Sequence, residues 1–260
     1  MIHFLTNNKV LNADLSLIEG SPNIQFPLSN IQHDFTTKVY RSIEGEQLVE
    51  ILVDLKQVEE IDSIACVGSS TDFSFGYESL KVYGSASTDF SSSAEIEVDL
   101  SDKHNNGYVL LEQSQSFRYW KFIFASDTHD PLEVSKLYMG KRTTLANNDF
   151  ETNSFNYSIS DNLNVSENRY GQRFIDRFNS IKSMNGMIMY ALKEEFELIE
   201  QVWEDHGSRE PLWLVLDDKC NLATDGNFRF SGYFYIDQTP LWVSSGPGLK
   251  NVSLFFREAK

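Results

Sequence analysis

Short runs in which apolar and polar residues alternate fill the first half of the chain. Gly, Ser, Asp and Asn separate these runs, and no helical period lies between them. Alternation with period two and regularly spaced turn residues is typical of an antiparallel β-sandwich or jelly roll. We therefore predict such a sandwich for residues 1–142. Its predicted strands are Leu48–Leu55, Ile61–Gly68, Ser79–Gly84, Glu95–Leu100, Gly107–Glu112, Tyr119–Ala125 and Val134–Gly140.

One segment has the period of an amphipathic helix. Leu192, Phe196, Ile199 and Trp203 recur at steps of three and four residues. We predict a helix over about residues 191–206, which Gly207 ends. The opposite face is charged and is predicted to face solvent. It comprises Lys193, Glu194, Glu195, Glu197, Glu200, Glu204 and Asp205.

A single amphipathic helix needs a sheet against which to bury its apolar stripe. The sequence on both sides of this helix has the alternation of strands, which supplies such a sheet. The polar interval Thr143–Asp149 is the predicted linker, and residues 150–260 are the predicted second domain, an α+β unit with one helix across an antiparallel sheet. Its predicted strands are Phe150–Ser160, Gln172–Lys182, Met187–Tyr190, Leu212–Asp218, Phe228–Ile236, Leu241–Val243 and Asn251–Glu258.

Composition and charge argue against two classes of partner. The chain is 41% hydrophobic and 13% aromatic, which is typical of a globular protein, and its formal net charge is −16. Such a chain lacks the Lys/Arg surface that nucleic acid or an anionic membrane requires. No window approaches the ~20 apolar residues of a membrane span. The N-terminus lacks the pattern of a signal peptide, which predicts synthesis in a cytoplasm-like compartment.

No catalytic motif stands out, so we predict a protein that is not an enzyme and binds no metal and no cofactor. The motifs of serine hydrolases, P-loop proteins and zinc peptidases are missing from the sequence. The most suggestive acids are Asp217 and Asp218, at the end of a predicted strand. The two carboxylates suit a cation site, or the active site of a hydrolase in which they share one proton. A turn in which they accept backbone N–H groups explains the same pair.

Aromatic residues alternate in the loop Ser69–Glu78, which is the first candidate for a ligand site. Sugar rings stack on aromatic faces, and Asp and Arg side chains hold sugar hydroxyls. The same alternation suits a strand that faces a neighbouring subunit, and both interpretations stay open. The candidate glycan or subunit contacts are Tyr40, Arg41, Asp72, Phe73, Phe75 and Tyr77.

Trp242 is the second candidate for a contact surface. It lies in an apolar segment bracketed by Pro and Gly, and exposed Trp residues often anchor interfaces. Trp120 lies on a predicted core strand and Trp203 on the helix stripe, so both are predicted to be packing residues.

The first half resembles the galactose-binding-like (discoidin) jelly rolls. In that family an Arg-Ser turn, a strand that ends in Asp-Leu and an Arg-Tyr-Trp strand recur in this order. The resemblance implies a carbohydrate-binding type of module over residues 1–142. The matching segments are Asn30 with Lys38–Ser42, Val53–Leu55, Ile61–Gly68, Leu80–Gly84, Phe117–Phe122 and Val134–Gly140.

The second half is similar to tail proteins of tailed bacteriophages. The segments that carry this likeness are Leu192–Trp203, Pro211–Asp217, Gly232–Ile236 and Val252–Glu258. The resemblance implies the split-barrel fold of distal tail and baseplate proteins, and a virion component of a tail tip or baseplate that is made in the host cytoplasm.

This resemblance also implies the partners. They are other phage tail proteins, further copies of the chain in a homo-oligomeric ring or collar, and a host surface glycan. Two alternatives stay open, a stand-alone carbohydrate-binding (lectin-like) protein and a hydrolase that uses Asp217 and Asp218.

Overall fold

A computed structural model of the chain describes residues 1–33, 38–68, 79–98, 106–125, 131–145, 150, 154–167, 173–216 and 230–259. Strands dominate the described residues, which contain one α-helix and two short 3-10 helices. The prediction of a mainly β protein, with a sandwich followed by a β-rich unit that carries one helix, is confirmed.

The elements follow in chain order. The strands are β1 (Ile2–Leu5), β2 (Asp14–Glu19), β3 (Tyr40–Arg41), β4 (Leu48–Val67), β5 (Ser79–Ser85), β6 (Ala94–Val98), β7 (Asn106–Ala125), β8 (Glu133–Val134), β9 (Lys136–Gly140), β10 (Arg142–Leu145), β11 (Asn156–Glu167), β12 (Arg173–Ala191), β13 (Leu212–Leu216), β14 (Phe230–Ile236), β15 (Leu241–Gly246) and β16 (Leu249–Glu258). The helices are α1 (Lys193–Asp205) and the 3-10 turns Lys9–Asn12 and Leu28–Gln32.

The sandwich is built around a long antiparallel ribbon of β4 and β7. Each of these strands covers two of the strands that the sequence pattern predicts separately. The pairing register shifts between Asp54 and Glu59, where Lys56 has a left-handed backbone (φ 67°). The ribbon bends there. Its first half continues the sheet β2-β4-β7-β5-β6, and its second half pairs with β9. Val53 and Ile64, one from each half of β4, lie in the same buried cluster, so the two halves form the two packed layers.

An ion pair joins the two strands at this bend. Arg118 Nε donates to Asp54 Oδ1 at 2.8 Å, and Nη2 donates to Oδ2 at 2.9 Å. The Arg118 hydrogen bond is the main cause that holds the pKa of Asp54 below its ordinary value. A carboxylate with a lowered folded-state pKa stabilises the protein above its unfolded-state pKa, and this contribution is lost as the pH falls through the folded-state pKa.

We therefore expect Arg118→Gln to raise the pKa of Asp54 and to lower stability slightly at neutral pH. The stability difference from the wild type should shrink as the pH falls below the ordinary pKa of Asp, about 3.9. NMR titration of the Asp54 carboxyl and urea unfolding at neutral and acidic pH measure both effects. An unchanged Asp54 titration in the variant would contradict the role given to Arg118.

The second sheet carries the helix. Its described strands run in the order β10-β1-β13-β14-β16-β12-β11, and β15 pairs with β16 as well. The pairings between these strands are antiparallel. Phe4, Leu214, Phe234 and Leu254 lie on one face of the sheet and form a buried cluster with Ile199 of α1. This cluster is a second core, separate from the core of the sandwich.

The first strand of the chain belongs to this second sheet, although residues 1–142 were predicted to form the sandwich. β1 lies between β10 and β13, with Ile2 opposite Leu145 on one side and Leu216 on the other. β10 itself overlaps the predicted linker Thr143–Asp149. Sheet membership therefore does not divide at residue 142. The physical reason is that β1 is buried on both faces, and a four-residue strand of three apolar residues and one His carries no sign of which sheet it joins.

α1 lies within the predicted range. Ile199 and Val202 are buried in its apolar stripe, and Gly207 follows with the left-handed backbone (φ 52°) that ends the helix. The prediction that Glu195 faces solvent is wrong, because its side chain is buried. Its Oε2 accepts a hydrogen bond from Leu192 N at 3.2 Å. This carboxylate satisfies a backbone donor at a helix start that has no Ser, Thr, Asp or Asn cap.

A third apolar cluster joins the two units. Leu5, Trp213 and Val215 of the second sheet pack with Ala65 and Tyr138 of the sandwich, and all five are buried. On β1 and β13 these side chains point away from the core under α1, since neighbouring strand residues face opposite sides. The second sheet is thus covered by α1 on one face and, near β1 and β13, by the sandwich on the other.

Candidate functional site

The structure describes three of the residues predicted for binding: Tyr40, Arg41 and Trp242. The loop Ser69–Glu78, with the candidates Asp72, Phe73, Phe75 and Tyr77, lies outside the described residues. The acid pair Asp217 and Asp218 also lies outside them. The geometry of the candidate site is therefore that of the segments around Tyr40 and Arg41.

Tyr40 and Arg41 form the short strand β3, which pairs with β8. Tyr40 lies opposite Val134, and Arg41 lies opposite Glu133. Because neighbours on a strand face opposite sides, the Tyr40 side chain is fully buried whereas Arg41 stays partly exposed. Arg41 N also donates to Phe26 O at 3.2 Å, which fixes the preceding segment beside the strand. Arg41 is the member of the pair that a ligand can reach.

Arg41 is held between a carboxylate and an aromatic ring. Its Nη2 forms an ion pair with Glu133 Oε1, and its guanidinium carbon lies 4.4 Å from the centroid of the Phe26 ring. Arg41 Nε and Glu133 Oε2 are buried and have no hydrogen-bond partner within the described residues. Buried polar atoms without partners are costly. The described part of the protein thus leaves one buried donor and one buried acceptor unused beside the partly exposed Arg41.

Tyr40 contributes a hydroxyl that stays protonated. Burial, and then the negative charge of Glu46, raise the pKa of Tyr40 well above its ordinary value. Its hydroxyl is buried with no partner among the described residues. Glu46 Oε1 accepts a hydrogen bond from Ser21 N at 2.6 Å, which fixes the carboxylate in place. A neutral phenol held in this way is a hydrogen-bond donor and not a base.

The Arg41–Glu133 pair is connected to the start of the predicted aromatic loop. Glu133 lies two residues before Ser135, whose backbone N donates to Val67 O at 2.8 Å. Val67 is the last residue of β4. The loop Ser69–Glu78 follows after one further residue.

Several strand ends meet at this end of the sandwich. Val67 at the end of β4 pairs with Asn106 at the start of β7. Leu48 at the start of β4 pairs with Ala125 at the end of β7, which also pairs with Ser79 of β5. Because the ribbon is folded near its middle, both of its ends lie opposite the bend. The segments that leave these strands therefore start from the same side of the sandwich, which is where jelly rolls and sandwiches carry their binding loops.

Sequence reasoning missed Phe26 and Glu133. Phe26 lies in a segment without a strand or helix period, and Glu133 stands just before the predicted strand Val134–Gly140. Only the pairing of β3 with β8 brings Glu133 to Arg41. Phe26 stands directly before Pro27, which marks a turn and gives no signal of a contact with Arg41.

Trp242 lies on β15, half-buried against the helix. Its ring centroid is 4.1 Å from that of Phe196, in an edge-to-face arrangement, and Lys250 Nζ lies 3.4 Å from the Phe196 centroid. Its neighbours Leu241 and Val243 are 56% and 63% exposed. On this strand Trp242 therefore packs inward, and the two aliphatic side chains beside it are the ones that face solvent.

Within the described ranges, no three His, Cys, Asp or Glu side chains come together as metal ligands. No helix in this part of the chain combines the length and the apolar character needed to cross a membrane.

Comparisons with known proteins give structural likenesses at low identity. No protein-family model matches the sequence, and no curated protein matches it. The fucose-binding module SpX-3 of Streptococcus pneumoniae is similar in structure, at 13% identity and a TM-score of 0.44, over 52% of this chain and 98% of the module. The lectin domain of lectinolysin, solved in complex with Lewis B antigen, matches at 13% identity and a TM-score of 0.44, over 52% of this chain and 97% of the domain. The module CBM32-1 of a family 31 glycoside hydrolase from Clostridium perfringens matches at 11% identity and a TM-score of 0.41, over 49% of this chain and 94% of the module.

Proposed function

We propose that this chain is a non-catalytic carbohydrate-binding protein whose sandwich binds a glycan beside Arg41. The observation that carries the proposal is the clamp of Arg41 between Glu133 and Phe26. A guanidinium beside a carboxylate offers donors and acceptors at fixed positions, which suits the hydroxyl groups of a sugar. In this proposal the aromatic loop Ser69–Glu78 supplies the ring faces on which the sugar stacks.

The charge of the clamp favours a neutral glycan. Arg41 is paired with Glu133, so the site has little net charge to offer an acidic sugar. The chain as a whole carries a formal charge of −16, which repels anions over the Debye length of about 8 Å at physiological salt. Neutral galactose-type, glucose-type or fucose-type glycans are therefore the ligands to test first.

We expect Arg41→Ala to weaken binding of the best neutral glycan from an array by at least about tenfold. The reason is that a hydrogen bond to a charged group is worth about 1.5–3 kcal/mol. Isothermal titration with the purified full chain measures the change in Kd.

Arg118→Ala is the matched control, because Arg118 also pairs with a carboxylate, Asp54, and lies over the ring of Tyr119 at 4.8 Å. It stands at the bend, the opposite end of the sandwich, and should leave the Kd unchanged. Equal losses in the two variants would show that the effect is not local to the clamp. Failure of all neutral glycans on the array would reject the proposal.

A second candidate function is assembly into a bacteriophage tail tip or baseplate, with other tail proteins as partners and a host glycan as the target. The observation that favours an assembly role is the edge strand β15. Among the described residues it pairs with β16 alone, and it exposes Leu241 and Val243. An open strand edge with apolar side chains is a ready site for pairing with another chain.

Light scattering of the purified chain tests this second candidate. A ring or collar predicts a discrete multiple of the 29.8 kDa chain mass, and Val243→Lys on the open edge should shift it toward monomer. A monomer at every concentration tested counts against self-assembly. Mass spectrometry of purified virions from a lysogen or lysate that carries the gene tests the tail location itself.

A further inference from the structure

The second sheet has a small polar groove on the face that lies opposite α1. Its volume is about 230 Å³. It is separate from the Arg41 clamp, because the side chains that form it lie on β11, β12, β16 and the residues after β14. The groove-forming polar and outward-facing side chains are Asn156, Ser158, Ser183, Asn185, Asp237, Gln238 and Phe255, and Met184 and Phe256 also line the groove.

Strand register places five of these side chains in two adjacent rows. Asn156 of β11 lies opposite Asn185 of β12, and Asn185 lies opposite Phe255 of β16. Ser158 and Ser183 form the next row between β11 and β12. Because the side-chain period of a strand is two, members of these rows project to one face.

That face is the one turned away from the core. Tyr157, Met184 and Phe256 alternate with the groove residues and pack into the cluster under α1. The groove residues must then point to the outer face. The sandwich covers the outer face near β1 and β13, whereas Asn156 and Ser158 are exposed.

The groove has the chemistry of a polyol site. Three carboxamides and two hydroxyls line it, and each carries both donors and acceptors. Within the described part of the chain, no hydrogen bond engages the side chains of Asn156, Ser158, Ser183 or Asn185. Phe255 supplies an aromatic face in the same row. The backbone N of Asp237 donates to Phe255 O at 2.8 Å, which holds this carboxylate-bearing residue beside the ring.

The size and the charge of the groove restrict the class of ligand further. About 230 Å³ is below the roughly 300 Å³ at which pockets for drug-sized ligands begin, so the groove accommodates one sugar ring and not an oligosaccharide. Asp237 lines the groove, and the exposed Arg257 stands opposite Ser183 at the end of the second row. The two opposite charges offset each other, which favours a neutral sugar over a phosphorylated or acidic one. We infer that this groove is a second carbohydrate site, which binds a single neutral pyranose unit with its ring against Phe255. The inference does not depend on the proposed role of Arg41.

NMR titration of the full chain with galactose, glucose, mannose and N-acetylglucosamine tests the inference. We expect at least one of these sugars to shift the side-chain amide signals of Asn156 and Asn185. The double variant Asn156→Ala/Asn185→Ala should bind that sugar about tenfold more weakly, since two neutral hydrogen bonds of roughly 0.5–1.5 kcal/mol each are lost.

Three controls keep the result interpretable. Ser253→Ala removes a polar side chain from β16, two residues from Phe255 but outside the groove, and should leave the affinity unchanged. The single variant Asn156→Ala, on the edge strand β11, should keep the fold even if the double variant does not, and should weaken binding by a smaller factor. Arg41→Ala should have no effect on these signals. Absence of amide shifts with all four sugars, or an unchanged affinity of the double variant when it is measured from the backbone amide shifts of Ser158 and Ser183, would overturn the inference.

Discussion

Phe4→Ala is expected to destabilise the second sheet by about 3–5 kcal/mol, the range for Phe→Ala in a core. Phe4 is 1% exposed, and its ring lies 6.5 Å from that of Phe256 in a stacked arrangement. Its strand neighbours are Thr143 and Leu214. The substitution therefore leaves a cavity in the core under α1, although the residue stands at the start of the chain, next in sequence to the sandwich.

Hydrogen exchange in increasing denaturant, read by mass spectrometry, shows where the loss occurs. Peptides from β13 and β16 should lose protection at lower denaturant in Phe4→Ala, before peptides from β4 and β7 do. Ile24→Ala is the control: Ile24 is 95% exposed, so its effect should stay within about 0.5 kcal/mol. If the sandwich peptides lost protection first in Phe4→Ala, the placement of β1 in the second sheet would be wrong.

The same strand shows what the sequence predicts and what it does not. Periodicity identified the helix and the existence of most strands, because side chains that face a core recur with the period of their element. Periodicity does not indicate which strands pair with one another. β1 joins a sheet whose other strands lie more than a hundred residues away, and it places apolar side chains on both faces, Ile2 and Phe4 on one and Leu5 on the other. The bend at Lys56 was missed for a related reason, since a register shift leaves the alternation on each side intact.

The start of α1 gives a second example of a feature that the sequence pattern does not predict. Glu195 sits in an acidic run and was assigned to the solvent face. Its carboxylate turns back to Leu192 N instead, because the first backbone donors of a helix need acceptors and no other cap is available. A local hydrogen bond of this kind overrides the charge pattern.

The candidate sites were accessible to sequence reasoning in different degrees. Arg41 was identified from its turn and its family resemblance, whereas Glu133 and Phe26 reach it only through strand pairing and chain packing. Asn156 and Asn185 were not singled out at all. Polar residues that alternate along a strand look the same whether they face bulk water or a groove, so only the register across β11, β12 and β16 reveals that they converge.

Trp120→Ala is expected to have an effect of similar size in the sandwich, about 3–5 kcal/mol. Trp120 is fully buried, its Nε1 donates to Phe117 O at 3.3 Å, and its ring meets that of Phe117 edge to face at 5.7 Å. It lies opposite Val53 on one side and Gly84 on the other. A side chain of this size contacts both sheet neighbours, so its removal opens a cavity that the flanking strands cannot close.

The order of unfolding in this variant should be the reverse of that in Phe4→Ala. Peptides of β4 and β7 should lose protection first, and those of β13 and β16 later. Trp120→Phe keeps an aromatic ring in the core and should give a smaller loss in the same peptides.

If Trp120→Ala instead lowered protection equally in both sheets, the two cores would unfold as one cooperative unit. The cluster of Leu5, Trp213 and Ala65 between them would then be the contact that couples them, and its disruption by Trp213→Ala should restore separate transitions.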